Sequence, residues 1–128
     1  MSRGDLARGP HSSYVAGVVE AALSAFDEKA GLDPVVLDLR GFVDSFDALV
    51  VASGRNDRQV RTLAEEVVRR VDAATDARPT HVEGVAEGEW IALDYGDVIV
   101  HVFDETDREY YDLEHLWAAP ARRPARLP

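Results

Sequence analysis

The sequence predicts an α/β sandwich, with one mixed, about five-stranded sheet flanked by helices. Three observations predict it. Stretches of helical and of strand periodicity follow one another in the order α-β-β-α-β-β-β-α. The run Leu49-Val50-Val51-Ala52 is continuously apolar, as in a strand covered on both faces. A chain of 128 residues, 46% of them hydrophobic, can build one core but not two.

Residues 1–11 carry Gly4, Gly9 and Pro10 without periodicity and read as a flexible leader. Ser12 or Ser13 can cap the first helix. Val15, Val18, Val19, Ala22 and Phe26 then share one face, and Gly31 ends the run. Pro34 opens a strand over residues 35–39, residues 41–45 connect, and residues 46–53 form a second strand closed by Gly54. Asn56 and Gln59 fit a capping box, in which each side chain bonds the other end's backbone. The helix after it places Val60, Leu63, Ala64, Val67, Val68 and Val71 on one stripe. Its outer residues Arg61, Glu65, Glu66, Arg69 and Arg70 read as a solvated surface. A loop over residues 72–79 and a short strand over 80–83 follow. Residues 89–94 and 97–103 form a hairpin about Tyr95-Gly96. Thr106 and Glu109 suggest another capping box, before a helix face of Tyr110, Leu113, Leu116 and Trp117. Residues 118–128 hold three prolines and no pattern, so they read as a disordered Pro/Arg tail. The domain is therefore expected over residues 12–117.

Acidic residues number 24 and basic residues 14, a net charge of −10. Arg122, Arg123 and Arg126 lie in the tail, so the body is more acidic still. This argues against sequence-independent nucleic-acid binding, which needs a basic face to release counterions. It argues equally against docking on an anionic membrane and suits a basic protein partner, or none. With no cysteine, disulfides, zinc-thiolate sites and thiol catalysis are excluded. No apolar run reaches 18 residues and no signal segment precedes Ser13, so a cytoplasmic location is expected. One lysine against thirteen arginines marks the bias of a GC-rich genome.

A turn at Tyr95-Gly96 sets Asp94 opposite Asp97, Ala92 opposite Ile99 and Trp90 opposite His101. The other face pairs Leu93 with Val98 and Ile91 with Val100, and is the expected core. Facing aspartates repel by up to about 1 kcal/mol, which a metal ion or a partner's Arg or Lys would relieve. Solvated tip residues chosen as good turn flanks are the plainer reading. Trp90 is either core or an interface anchor.

Catalytic signals are weak. Ser53-Gly54 before a capped helix resembles an anion-binding turn, but no glycine repeat or following lysine supports a P-loop. No Asp-x-Asp lies on a strand; Asp38 is followed at alternate spacing by Arg40, and Glu87-Gly88-Glu89 falls in a loop. His11, His81, His101 and His115 show no metal spacing, although His81 and His101 would approach if their strands were neighbours. Ser53 lacks a nucleophile elbow. No catalytic residue, metal site or cofactor is therefore assigned.

Several segments carry a resemblance. They are Val50-Val51-Ala52-Ser53-Gly54, Arg58-Gln59-Val60, His81-Val82-Glu83-Gly84 and Gly88-Glu89-Trp90, then the run from Leu93 to Phe103 and the run from Arg108 to Trp117. In this order, over roughly residues 12–117, they resemble the ribosomal silencing factor, or Iojap-like, family. The resemblance implies a nucleotidyltransferase-like fold without catalytic carboxylates. It implies a non-enzymatic translation repressor that binds the large ribosomal subunit through its fourteenth ribosomal protein and blocks joining of the small subunit. A homodimer in the free state is implied too. On this view Trp90, Leu93, Asp94, Tyr95, Asp97 and His101 lie at the partner contact. Replacing Trp90 or Tyr95 by alanine is then expected to weaken binding and spare the fold. An aromatic usual in the family is Ala48 here, which implies either a weaker partner contact or a compensated packing change. An assembly role for the large subunit, or a divergent nucleotide-binding enzyme, are the alternatives. The tail's arginines could reach ribosomal RNA.

Overall fold

The computed structural model describes residues 12–106 and 125–126. Helix α1 spans Ser13–Glu28, and the Ser12 hydroxyl accepts from the Val15 N–H at 3.2 Å. Strands β1 (Leu32–Asp38) and β2 (Ala48–Gly54) follow. Helix α2 (Asp57–Thr75) comes next, then β3 (His81–Glu83), β4 (Trp90–Asp94) and β5 (Val98–Asp104). The two-residue β6 (Ala125–Arg126) completes a sheet of order β3-β4-β5-β2-β1-β6. Only β2 and β5 pair in parallel; the other pairs are antiparallel. The fold is thus α/β with a mixed sheet.

All seven residues of β2 are buried. Its Val50 and Ala52 face the helices, with Val100 and Val102 of β5, Leu63 and Val67 of α2, and Val18 and Phe26 of α1. Its Leu49 and Val51 face the other way, into a second buried cluster with Val35, Leu37, Leu39 and Phe103. The continuous apolar run therefore means what its pattern implied: a central strand with two interiors.

Several boundaries differ from the sequence reading. Helix α2 runs to Thr75, because nothing breaks it before Asp76 takes a left-handed φ of 60°. At its start the Asn56 side chain accepts from the Gln59 N–H at 2.9 Å. Gln59 Oε1 accepts instead from the Arg55 N–H, one residue before the cap. Its amide also donates to the Lys29 and Ala30 carbonyls, tying α2 to the end of α1. At the other end of the sheet the chain turns helical at Glu105, and the Asp104 carboxylate accepts from the Thr106 N–H. Asp104 thus takes the capping role expected of Thr106. Residues 125–126 pair with Val35 and Val36, although their sequence reads as tail. Backbone bonding at an open edge needs no side-chain pattern. The leader, the expected helix face from Tyr110 to Trp117, and Arg122 and Arg123 lie outside the described residues.

The outer face of α2 is less solvated than expected. Glu66 is only 6% exposed and bonds both Arg69 and Arg70. These bonds to Arg70 and Arg69 hold its carboxyl below the usual glutamate range. Arg70 also reaches the Ser24 hydroxyl at 2.8 Å, because α1 packs alongside. Removing the α2 cap by Asn56→Ala is expected to cost about 1 kcal/mol in urea denaturation, with the slope unchanged.

Candidate functional site: the β4–β5 hairpin

The hairpin turns one residue later than Tyr95-Gly96. The Tyr95 N–H donates to the Val98 carbonyl at 2.9 Å, with Gly96 and Asp97 between them. Gly96 has φ +87° while Asp97 stays out of the positive-φ region. Glycine at the first central position supplies the positive φ that two-residue hairpin turns need to match strand twist. The Gly-Asp pair itself carries this signal, and the Tyr-Gly reading overlooked it.

Moving the turn by one residue moves every cross-strand partner by two. Faces are kept and neighbours change. Asp94 now lies opposite Ile99, Ala92 opposite His101 and Trp90 opposite Phe103. The facing aspartates are therefore a mistaken expectation, and so is the repulsion built on them. Asp97 is an exposed turn residue whose carbonyl accepts from the Asp47 and Ala48 N–H groups. The Asp94 carboxylate accepts from the Gly96 N–H at 2.8 Å, and across β3 Asp94 faces His81.

On the face away from the helices, three rings meet. Trp90 stacks on Phe103 with centroids 4.8 Å apart and planes 21° apart. Trp90 and His101, now diagonal neighbours, have centroids 5.7 Å apart. The Trp90 indole N–H donates to His101 Nδ1 at 2.8 Å. Indole nitrogen can only donate, so His101 is neutral with its proton on Nε2. Burial pushes its pKa down to about 4. Phe103 was missed as a member of this group because the wrong register placed it beyond Trp90.

Leu93 and Tyr95 sit on the opposite, helix-facing side, 1% and 3% exposed. Both are buried on the far side of the hairpin from Trp90 and His101, so the six expected contact residues do not share one surface. Parity decides this: odd positions 91, 93 and 95 all face the helices. The Tyr95 hydroxyl is buried without a hydrogen-bond partner, and burial, then Tyr14 and Asp72, push its pKa up to about 12. Tyr14 of α1, unremarked in the sequence, donates its hydroxyl to the Tyr95 carbonyl at 2.8 Å. Burial, then the charges of Asp97 and Asp94, raise the Tyr14 pKa.

The approach to Trp90 is fixed from α2. Arg61 donates to the Val85 carbonyl at 2.9 Å, the Ala86 carbonyl at 2.7 Å and the Asp57 carboxylate at 2.9 Å. Gly84 has φ +88°, and a Cβ there would lie 1.9 Å from the Trp90 carbonyl oxygen. Only glycine permits that close approach.

The weaker chemical signals resolve simply. Asp38 and Arg40 pair with each other at 2.9 Å. Ser53 is buried beside Phe103. His81 and His101 are separated by β4. Among the described residues no three His, Cys, Asp or Glu side chains gather as a metal site. No helix among them is long and apolar enough to cross a membrane. Ala48 is fully buried between β1 and β5, so its small side chain bears on packing.

With this geometry in place, the family model for "Ribosomal silencing factor during starvation" matches residues 12–126. The chain belongs to the ribosomal silencing factor family. The ribosomal silencing factor of Bacillus subtilis is 35% identical over 100 residues, covering 78% of this chain and 84% of that one. A crystal structure from Chromobacterium violaceum superposes with a TM-score of 0.76 at 33% identity, covering 86% and 97% of the two chains. More distantly, mouse "Mitochondrial assembly of ribosomal large subunit protein 1" is 23% identical over 101 residues, covering 77% of this chain and 44% of that one.

Two outcomes follow from the hairpin. Tyr95→Ala should lose about 3 kcal/mol in denaturant titration, as for other buried aromatics, whereas Tyr95→Phe should match or exceed wild type because it removes an unpaired hydroxyl. The His101 pKa is lowered in the folded chain from the ordinary 6.5 to about 4. Its contribution is therefore complete above about pH 6.5 and shrinks as pH falls towards 4, where the unfolded chain takes up the proton first. In denaturation by circular dichroism, His101→Gln should be less stable at pH 7 and lose less between pH 7 and 5.

Proposed function

We propose that this chain represses translation by occupying the large ribosomal subunit, through its fourteenth ribosomal protein, where the small subunit joins. The observation that carries this reading is the family match across residues 12–126, which spans every described element. The block is steric and involves no catalysis or cofactor. A body with net charge −10 suits a basic ribosomal protein, since complementary charge speeds and orients docking.

The contact set is revised by the geometry. Asp97 and Asp94 at the hairpin tip, with Trp90 and His101 on the face away from the helices, form the contact. Leu93 and Tyr95 support it from behind. Trp90 is the hot-spot candidate, a large ring whose position is set by Phe103 and His101. In the free state the chain is a homodimer.

A second reading, assembly of the large subunit, is favoured by the name of the mouse relative. Both readings share a docking site, and they part on the particle bound.

Co-sedimentation of purified protein with mature large subunits, with and without small subunits, tests the proposal. Binding with fewer joined ribosomes is expected. Binding without effect on joining, together with preference for immature particles, points to assembly. Asp97→Arg should weaken large-subunit binding several-fold with an unchanged circular dichroism spectrum; wild-type binding by this variant places the contact elsewhere.

A further inference from the structure

The two sides of the sheet end differently. On the β1 side the edge is guarded. Pro34 offers no N–H, Asp33 has φ +47°, the register with β2 slips between Leu32 and Val35, and β6 pairs with Val35 and Val36. Prolines, bulges and covering strands are the usual means of refusing a foreign strand. β3 carries none of them. His81, Val82 and Glu83 are all exposed, and among the described residues no strand lies on their outer side. Such an edge presents unpaired backbone groups to any strand of suitable register. A groove of about 220 Å³ adjoins it, floored by Ile91 and Leu93 of β4 and walled by Ala64 and Val68 of α2. Val82 and Val85 border the groove and are 46% and 47% exposed. Arg61 fixes this border by donating to the Val85 and Ala86 carbonyls, and a preformed groove costs an incoming side chain little ordering.

Charge selects the kind of occupant. Val82 lies opposite Leu93 and so points to the helix side, over the groove. Glu83 lies opposite Ala92 and points to the other side. Glu65 lines the groove from α2, and Glu87 is exposed on the loop beyond Val85. Arg61, the cation of the groove, is turned to Asp57 and the two loop carbonyls. The edge is therefore apolar at its groove and acidic around it. Side chains of an added strand alternate between the two faces. A residue set opposite Val82 falls on the groove side, and its sequence neighbours fall opposite His81 and Glu83 on the other side. An apolar residue with Lys or Arg next to it in sequence satisfies both faces at once.

We propose that the β3 edge and its groove capture an extended segment of another protein, which adds a strand beside β3 and presents an apolar residue flanked by Lys or Arg. Main-chain hydrogen bonds supply the affinity, and the groove and the surrounding carboxylates supply the selection. The proposal goes beyond the silencing role and uses neither Trp90 nor the hairpin tip. A contact three residues long is smaller than a standard stable interface, so the captured segment exchanges readily.

The test titrates the full chain with a labelled probe peptide, Thr-Lys-Thr-Lys-Leu-Lys-Thr-Lys-Thr, at low salt, by fluorescence anisotropy and by amide shifts in NMR. Binding that moves the amides of residues 81–85 is expected. Replacing the peptide's leucine by serine should weaken it about tenfold or more. Methylating alternate backbone nitrogens of the peptide, in the two possible sets, should abolish binding for one set and spare it for the other, because one side of a strand faces β3. In the protein, Glu83→Lys should weaken binding about fivefold. Val85→Ser should weaken it too. Glu20→Lys makes the same change in net charge on α1 and should cost less. All three positions are exposed, so the fold is kept. No binding at millimolar peptide overturns the proposal. Equal binding by both methylated sets, or equal loss in Glu83→Lys and Glu20→Lys, reduces the effect to general charge attraction and overturns it as well. Shifts on the Trp90 face with residues 81–85 unmoved place the basic contact at the hairpin, with the same consequence. Amide shifts at 81–85 on dilution of the chain alone, with no peptide bound, give the edge to a second copy and also overturn it. None of these results decides whether the protein silences ribosomes, which the joining assay reads separately.

Discussion

The parallel ladder between β2 and β5 is the constraint on which the rest of this structure depends. β2 is buried on both faces along its whole length, and its partner β5 carries apolar side chains inward at Val98, Val100 and Val102. A parallel pair cannot be closed by a tight turn, so the chain must leave β2, cross through α2 and return by β3 and β4. That path places α2 against the helix side of β4 and β5 and leaves β3 as an edge. The open edge and the covered hairpin face are both consequences of one pairing.

Around this centre, charged groups are handled locally. Glu66 is buried but bonded by Arg69 and Arg70, so its charge is not isolated. Arg61 is committed to two backbone carbonyls and Asp57, so it serves as a clamp on the loop before Trp90. Asp94 accepts from a turn N–H and faces His81. The surplus acidity is thus left to exposed positions such as Asp97, where it is available to act at a distance on a basic partner.

The hairpin shows how a small backbone choice redistributes function. A Gly96-Asp97 turn brings Trp90 over Phe103 and within reach of His101, and separates the two aspartates that a Tyr95-Gly96 turn would oppose. The aromatic group is held by stacking and by one indole–imidazole hydrogen bond, with Gly84 letting the neighbouring strand end come close. Tyr95, read as a contact, is instead a core residue whose carbonyl receives Tyr14.

The sequence by itself determined the α/β class, the helix cap at Asn56 and a serine cap at position 12 or 13, the buried character of β2 and the partition of hairpin residues between two faces. These are local or periodic properties, and a two-residue slip leaves parity intact. The resemblance carried by Trp90 to Phe103 was legible for the same reason, since it is a linear pattern. Tertiary structure alone decided that β3 and β4 intervene before β5 pairs with β2, that Glu66 is buried and that Arg61 is a clamp. It also decided that residues 125–126 return to the β1 edge. Those outcomes depend on which surfaces meet after the chain has crossed itself, and no periodicity within a segment encodes its neighbour. The hairpin register lies between the two: its Gly-Asp signal was present in the sequence, and the cross-strand hydrogen bond from Tyr95 to Val98 chose it over Tyr-Gly.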